Sequence, residues 1–401
     1  MYWLYNISIL IYGLLIKLVA PFNAKAKLFV NGRKEIFEQI NSKVDKNVQP
    51  IWFHFASLGE FEQGRPVLEK IKSLKPEEKI VITFFSPSGY EIRKNYALAD
   101  GVFYLPLDTP SNARKFVKLV DPKMAIFTKY EFWPNYFKAL SEKSVPLYVI
   151  SGIFRPNQVF FKWYGKFYRN VLKCVDHFFV QNEESSLLLE SINIRNIDIS
   201  GDTRFDRVYA NAQNPMQLPI IERFCGNDFV LIAGSTWPDD EKLLVNLTTK
   251  FPDWKFIIAP HEIHSSHINE ISVLFPQAIK FSEISKTEAS SQVLIIDNIG
   301  MLSALYQYGK IAYIGGGFGV GIHNTLEAAA FGLPVIFGPN YSKFQEAKDL
   351  ISAKAAKSIN NAEELMIAFE YYTKNESGKI AKDYVANKKG ATEMIIDKIL
   401  N

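Results

Sequence analysis

The stretch that most constrains this chain is Tyr313-Ile-Gly-Gly-Gly-Phe-Gly-Val-Gly-Ile-His-Asn-Thr-Leu-Glu327, followed by Gly332-Leu-Pro-Val-Ile-Phe-Gly-Pro339. A β-branched and aromatic run stops at a cluster of glycines and resumes in the helix-compatible Asn324-Thr-Leu-Glu-Ala-Ala-Ala330. A strand, a tight turn and a helix N-terminus are therefore expected in succession. Glycines lacking Cβ let backbone N–H groups approach an anion, and the helix dipole favours its charge. Gly315, Gly316 and Gly317 are expected against a phosphate, with Asn324, Thr325, Leu326 and Glu327 opening the helix beside it. Glu327, one turn in, can accept hydrogen bonds from ribose hydroxyls. The dinucleotide pattern G-x-G-x-x-G fails when counted from Gly315 or Gly317, so a nucleotide other than a nicotinamide cofactor is expected.

The 401 residues, 48% hydrophobic and 22% charged, describe a globular chain of two or three domains. A net charge of +4 with no sustained basic stripe implies no nucleic-acid partner. The cysteines Cys174 and Cys225 form no CxxC and no disulfide framework, which points to a reducing compartment. Residues 1–20 are almost wholly apolar, interrupted chiefly by Asn6 and Lys17, and are followed by Lys25, Lys27, Arg33 and Lys34. A span of about 20 apolar residues crosses a bilayer, and Tyr2, Trp3, Tyr5 and Tyr12 suit an interface. With no convincing cleavage site, residues 1–22 are expected to be a retained membrane anchor, single-pass or monotopic; the alternative is a buried helix of a soluble domain.

Beyond residue 22, short apolar strands alternate with helical patterns twice over. Candidates begin at Pro50, Ile80, Gly101, Met124, Leu147 and His177, then at Phe229, Trp254, Val293, Ile311 and Pro334. The polar, Pro-bearing stretch 209–219 suits a linker. The expectation is an α/β protein with two Rossmann-like domains, 23–208 and 220–401, facing a cleft that holds the active site; the last helix can return to the first domain.

In the first domain, Phe55-Ala-Ser-Leu-Gly-Glu-Phe-Glu62 puts Ser57, Gly59 and Glu60 between a strand and the helical pattern of Phe61–Lys75. Ligands bind at that edge of open α/β sheets. Glu60 reads either as a general base for an acceptor hydroxyl or as an ordinary first-turn Glu on the helix dipole. Ser86-Pro-Ser-Gly89 and Ser151-Gly-Ile-Phe-Arg155 close later strands on the same face. In the second domain, Ser235 and Thr236 of Ala233-Gly-Ser-Thr-Trp237 can hold a phosphate or simply cap a helix. Pro260-His-Glu-Ile-His-Ser-Ser-His267 misses the HExxH spacing, and its histidines do not share one helical face. No metal is expected there, and His261 is read as contacting an anionic or sugar group. Asp297-Asn-Ile-Gly-Met301 closes a further strand, where main-chain groups can read a base.

Taken in order, several of these pieces carry a family resemblance: Trp52-Phe-His-Phe-Ala-Ser-Leu-Gly-Glu60, Glu131-Phe-Trp-Pro-Asn135, Ser151–Arg155, Ala233–Thr236, Asp297–Gly300, and Gly315–Gly317 through Asn324–Glu327 with Phe337-Gly-Pro339. The chain resembles the 3-deoxy-D-manno-octulosonic acid (Kdo) transferases, the lipid A glycosyltransferases of Gram-negative bacteria. The resemblance implies a GT-B fold with an N-terminal membrane anchor at the cytoplasmic face of the inner membrane. It also implies CMP-Kdo as donor, a tetraacylated lipid A precursor as acceptor, and inversion at the anomeric carbon with neither cofactor nor metal.

On this resemblance the base falls on Glu60, with Lys129 and Arg204 at the transition-state stabilisers and Glu131 in the same catalytic group. CMP contacts fall on Pro260, His261, Ile299, Gly300, Met301 and Asn324–Glu327. Lys129 stands where many members carry an acid, and Pro260-His261 where they carry Arg-His. A lipid acceptor accounts for Gln158-Val-Phe-Phe-Lys-Trp-Tyr-Gly-Lys-Phe-Tyr-Arg169, whose Lys162, Lys166 and Arg169, with Arg155 nearby, suit anionic head groups. The other enzyme reading is a GT-B glycosyltransferase using a UDP-sugar.

Overall fold

The computed structural model describes residues 1–284 and 291–400. The chain forms two compact units, Met1–Asp206 with the segment from Gly390 onward, and Arg207–Lys389. Among the described residues each unit holds one seven-stranded sheet. The first contains β1 (Ile51–Phe55), β2 (Ile80–Phe84), β3 (Gly101–Tyr104), β4 (Met124–Thr128), β5 (Leu147–Gly152), β6 (His177–Val180) and β7 (Ile197–Ile199), in the spatial order β3-β2-β1-β4-β5-β6-β7. The second contains β8 (Phe229–Thr236), β9 (Trp254–Pro260), β10 (Ile279–Lys280), β11 (Val293–Ile295), β12 (Ile311–Ile314), β13 (Val335–Phe337) and β14 (Ala356–Ser358), in the order β10-β11-β9-β8-β12-β13-β14.

The pairings are parallel, and parallel strands covered on both faces read as unbroken apolar runs. Every residue of β1 and β2 is buried. This is why the central strands were visible in the sequence. β7, β10 and β14 were not, being two or three residues long, with Asp198, Lys280, Lys357 and Ser358 among them. In both sheets the strand order reverses beside the first strand, between β1 and β4 and between β8 and β12. Ligands of open α/β sheets bind at such points, outside the carboxyl ends of the strands.

The expected linker is helical through Gln213, because the helix Arg204–Gln213 runs across the point where the first unit ends. The last helix, Ala391–Leu400, belongs to the first unit. Its Ile395, Ile396 and Ile399 join Phe53, Phe55, Phe61 and Leu68 in one core. The Asp206 carboxylate starts that helix, accepting from Gly390 N at 2.5 Å, Thr392 N at 2.9 Å and the Thr392 hydroxyl at 3.0 Å.

The apolar N-terminal helix, Tyr2–Val19, is long and apolar enough to cross a membrane, yet one of its faces is docked on the first unit. The Tyr2 hydroxyl donates to Asn135 and the Tyr5 hydroxyl to Asp108, each at 2.6 Å, and Asn6 accepts from Asn135 at 2.9 Å. Burial pushes the Asp108 carboxyl up to about 6, against the hydrogen bonds it receives. Gly13 packs so closely on Leu107 that a Cβ there would lie 2.6 Å from it. On the other face Leu4, Leu10, Ile11, Leu14, Leu15 and Leu18 are exposed.

Candidate functional site

At the carboxyl edge of the first sheet the chain leaves β1, and Ser57 takes an extended conformation before the helix Leu58–Leu74 begins. The helix starts three residues earlier than the sequence pattern suggested, so Glu60 is the third residue of its first turn and Gly59 the second. The Ser57 hydroxyl donates to the Glu60 carboxylate. Across the reversal point, β4 ends at Thr128 and Lys129 adopts φ +62°. That left-handed conformation is uncommon for a residue with a Cβ and gathers at functional sites. It brings Lys129 Nζ to 3.9 Å from Glu60 Oε1.

Glu131 and Arg204, expected in the same catalytic group, each have a close partner. Glu131 Oε2 accepts from Trp133 Nε1 at 3.2 Å and lies 3.7 Å from Nε2 of His54. Burial lowers the pKa of His54, with Glu131 opposing. Arg204 donates from Nε to Asp202 at 2.8 Å, and Nη2 stands at the same distance from the same oxygen. Asp202 is itself buried beside Gln63. Arg155 is exposed, and its backbone N–H donates to the Gln158 side chain at 3.0 Å.

The aromatic-basic segment is not one helix but a short 3-10 turn, Val159–Phe161, and a helix, Lys166–Leu172. Trp163 is 90% exposed at its tip. Arg169 is half-buried, and its Nη1 donates to the Phe160 and Lys162 carbonyls at 2.9 and 2.8 Å, which ties the helix to the turn before it. Lys166 is exposed and Lys162 half-buried. Phe167 packs against Tyr2 and Tyr5, at ring distances of 6.2 and 5.9 Å, which joins the segment to the N-terminal helix.

At the corresponding edge of the second sheet the expected tight turn after β12 is a broad loop. The helix is also shorter than expected, Leu326–Ala330 with Thr325 before it. Most of the loop's N–H groups are already taken by the protein. Gly315 donates to Gly234 O, Gly316 to Asp240, Gly319 and Gly321 to Gly316 O, and His323 to Gly315 O. Asp240 also accepts from Tyr313 OH and Trp237 N, at 2.7 and 3.0 Å. Two of the three glycine N–H groups expected against a phosphate, those of Gly315 and Gly316, thus have partners within the protein. The glycines also allow close packing. A Cβ on Gly315 would lie 2.3 Å from Ser235 O, and one on Gly317 would lie 2.6 Å from Gly338 N.

Ser235 and Thr236 belong to the end of β8, where Ser235 has φ +54° at a register shift. Thr236 is buried, and its hydroxyl donates to Glu241 at 2.9 Å. Past the loop, Asn324 Oδ1 accepts from Leu326 N at 3.0 Å, and Asn324 Nδ2 donates to Glu327 at 3.1 Å. Burial raises the pKa of Glu327, opposed by the Arg207 charge and the Asn324 hydrogen bond. The Thr325 hydroxyl is buried without a hydrogen-bond partner.

His323 was missed by the sequence reading. Its ring stacks on His261 at 4.3 Å, His261 stacks on Trp237 at 4.9 Å, and Trp237 Nε1 donates to His323 Nε2 at 3.2 Å. Burial, then the neighbouring His261, lowers the pKa of His323 to about 4. Nothing in the local sequence marks a lone His inside a glycine loop as the third ring of such a stack. Beside it Trp237, Asp240, Gly316 and Phe318 line a pocket of about 250 Å³. In the HEIHSSH stretch, His267 lies 3.0 Å from Glu241, and its other ring nitrogen lies 2.8 Å from the Glu262 carbonyl. Ile299 is exposed, Gly300 has φ +100° and Met301 is buried.

The family model described as 3-deoxy-D-manno-octulosonic-acid transferase matches residues 31–207. The chain is 28% identical to a Kdo transferase of Rickettsia felis over 350 residues, covering 84% of this chain and 74% of that one. It is 26% identical to a Kdo transferase of Aquifex aeolicus, covering 79% and 84%, and 26% identical to one of Haemophilus influenzae, covering 87% and 86%. In fold the chain is similar to UDP-GlcNAc 2-epimerase from Neisseria meningitidis, with a TM-score of 0.61 at 15% identity over 88% of this chain and all of that one. The fold is the two-sheet GT-B type, and over most of its length the chain is similar to the Kdo transferases, a family of glycosyltransferases.

Proposed function

We propose that this enzyme transfers Kdo from CMP-Kdo to a tetraacylated lipid A precursor in lipopolysaccharide biosynthesis, inverting the anomeric centre, with Glu60 as general base. What carries the reading is Glu60 itself. It is a carboxylate at the strand-order reversal of the first sheet, oriented by the Ser57 hydroxyl, with the Lys129 ammonium 3.9 Å away. In this mechanism Glu60 takes the proton of the acceptor hydroxyl as its oxygen attacks the anomeric carbon. The bond to CMP breaks, and its electron pair leaves with the phosphate.

The nucleotide belongs to the second unit in this reading, on Asn324, Thr325 and Glu327, with Pro260, His261, Ile299, Gly300 and Met301 around the base and sugar. The buried, unpartnered Thr325 hydroxyl supports that placement, since a buried polar group without a partner costs about 1–3 kcal/mol. The N-terminal helix lies on the cytoplasmic face of the inner membrane rather than crossing it. Its first two turns spend their polar side chains on the folded unit and leave an apolar face outward.

Product mass from the purified chain with CMP-Kdo and the lipid precursor tests the assignment and counts the residues added. Absence of a Kdo-bearing product overturns it. Protection against heat by UDP rather than CMP would instead favour a UDP-sugar donor.

A further inference from the structure

Between the N-terminal helix and the helix Ala24–Asn31 lies a cavity of about 550 Å³, within the roughly 300–1,000 Å³ of small-ligand pockets. Its walls are apolar, from Ile16, Phe29, Val30, Ile36, Phe37 and Leu107. Charge is concentrated in it unevenly, with Lys17, Arg33, Lys34 and Lys115 against Glu35 and Glu38. Arg33 is the unusual member. Its guanidinium stacks at 3.5 Å on the Phe29 ring and donates to the carbonyls of Leu105, Phe29 and Phe85 at 2.8, 3.1 and 2.7 Å.

Those three bonds use three of its five N–H groups. Among the described residues Arg33 makes no ion pair with a carboxylate. Burial holds its pKa down at about 9, so it is still charged at neutral pH. A desolvated cation held by carbonyls and ring faces, with no carboxylate beside it, is a costly arrangement that a bound anion relieves. The apolar walls call for a tail on that anion, and the cavity opens beside a helix whose outer face is a row of exposed leucines and isoleucines.

We propose that this cavity takes one anionic glycerophospholipid from the membrane, with an acyl chain between Ile16, Phe29, Val30 and Leu107 and its phosphate against Arg33, Lys17 and Lys34. The proposal rests on the membrane-surface reading of the N-terminal helix and not on the identity of the donor or acceptor sugar. The bound lipid is distinct from the substrate, and it fastens the helix to the bilayer through a group that no exposed apolar face supplies.

Native mass spectrometry of the full chain in detergent, with palmitoyl-oleoyl phosphatidylglycerol, palmitoyl-oleoyl phosphatidylcholine or inorganic phosphate added, tests this. One phosphatidylglycerol should be retained about tenfold more than phosphatidylcholine, whose phosphate is the same but whose choline cation is repelled by Lys17, Arg33 and Lys34. Val30→Trp should abolish retention by filling the cavity, and the double variant Lys17→Glu/Lys34→Glu should remove the head-group preference. Equal retention of both lipids, retention of phosphate alone, or wild-type binding by both variants overturns the proposal. So does stoichiometric displacement of phosphatidylglycerol by the lipid A precursor, which would assign the cavity to the acceptor. Kdo transfer is measured on the same preparation. Lost lipid retention with transfer intact counts against the lipid site alone, and retained lipid without transfer counts against the activity alone.

Discussion

The two sheet edges share one topology and differ in chemistry. At the reversal between β1 and β4 the first unit presents side chains: a carboxylate, an ammonium and a hydroxyl within reach of one another. At the reversal between β8 and β12 the second unit presents a loop whose backbone is largely bonded to itself and to Asp240, flanked by three stacked rings. Parallel topology therefore supplies a location, not a function. The first edge is suited to moving a proton, and the second to shaping a surface against a flat or extended ligand.

The largest effect that tests this contrast is at Glu60. Glu60→Gln keeps the size and most of the hydrogen bonding but cannot accept a proton, so turnover should fall by roughly 10²–10⁴-fold. CMP affinity should be unchanged by calorimetry; near-normal turnover with chemistry rate-limiting would move the base elsewhere. Glycines at the two edges should then respond differently to a methyl group. Gly317→Ala places a Cβ 2.6 Å from the Gly338 backbone, an overpacking that costs about 1–3 kcal/mol. Gly59→Ala meets nothing closer than 3.8 Å and should change stability by less than about 0.5 kcal/mol. Equal melting shifts would dissolve the distinction.

Glu327→Ala should weaken CMP binding by about 1–3 kcal/mol, the range for a hydrogen bond to a charged group; wild-type affinity in a titration removes Glu327 from the donor site. The ring stack adds a pH signature. With the folded pKa of His323 held near 4, below its value of 6.5 in the unfolded chain, the unfolded state binds more protons between those values. Its contribution to stability is complete above about pH 6.5 and is lost as pH falls toward 4. His323→Asn should flatten that limb of a stability-against-pH curve, and an unaltered slope would show that the ring does not titrate in this window. A separate effect is expected at the surface. Lys162→Glu with Lys166→Glu should weaken cosedimentation with anionic vesicles by about 1 kcal/mol per charge, whereas unchanged cosedimentation would leave membrane contact to the N-terminal helix alone.

What the sequence by itself determined was periodic or compositional. The buried central strands announce themselves as apolar runs, the strand-to-helix turn at Glu60 by its place between them, the N-terminal helix by its length without charge, and the likeness to Kdo transferases by motifs in order along the chain. What only the tertiary structure decided depends on contacts between residues far apart in the chain. Lys129 meets Glu60 because two strands distant in sequence are neighbours in the sheet, while Glu131 and Arg204 are claimed by His54 and Asp202. In the glycine loop the Gly316 N–H is taken by Asp240 from another segment, and His323 becomes a stacked ring only once β8, β9 and β12 are aligned. Local pattern records what a residue prefers. Which of several available partners it takes is fixed by the register of the sheet, and no single segment carries that information.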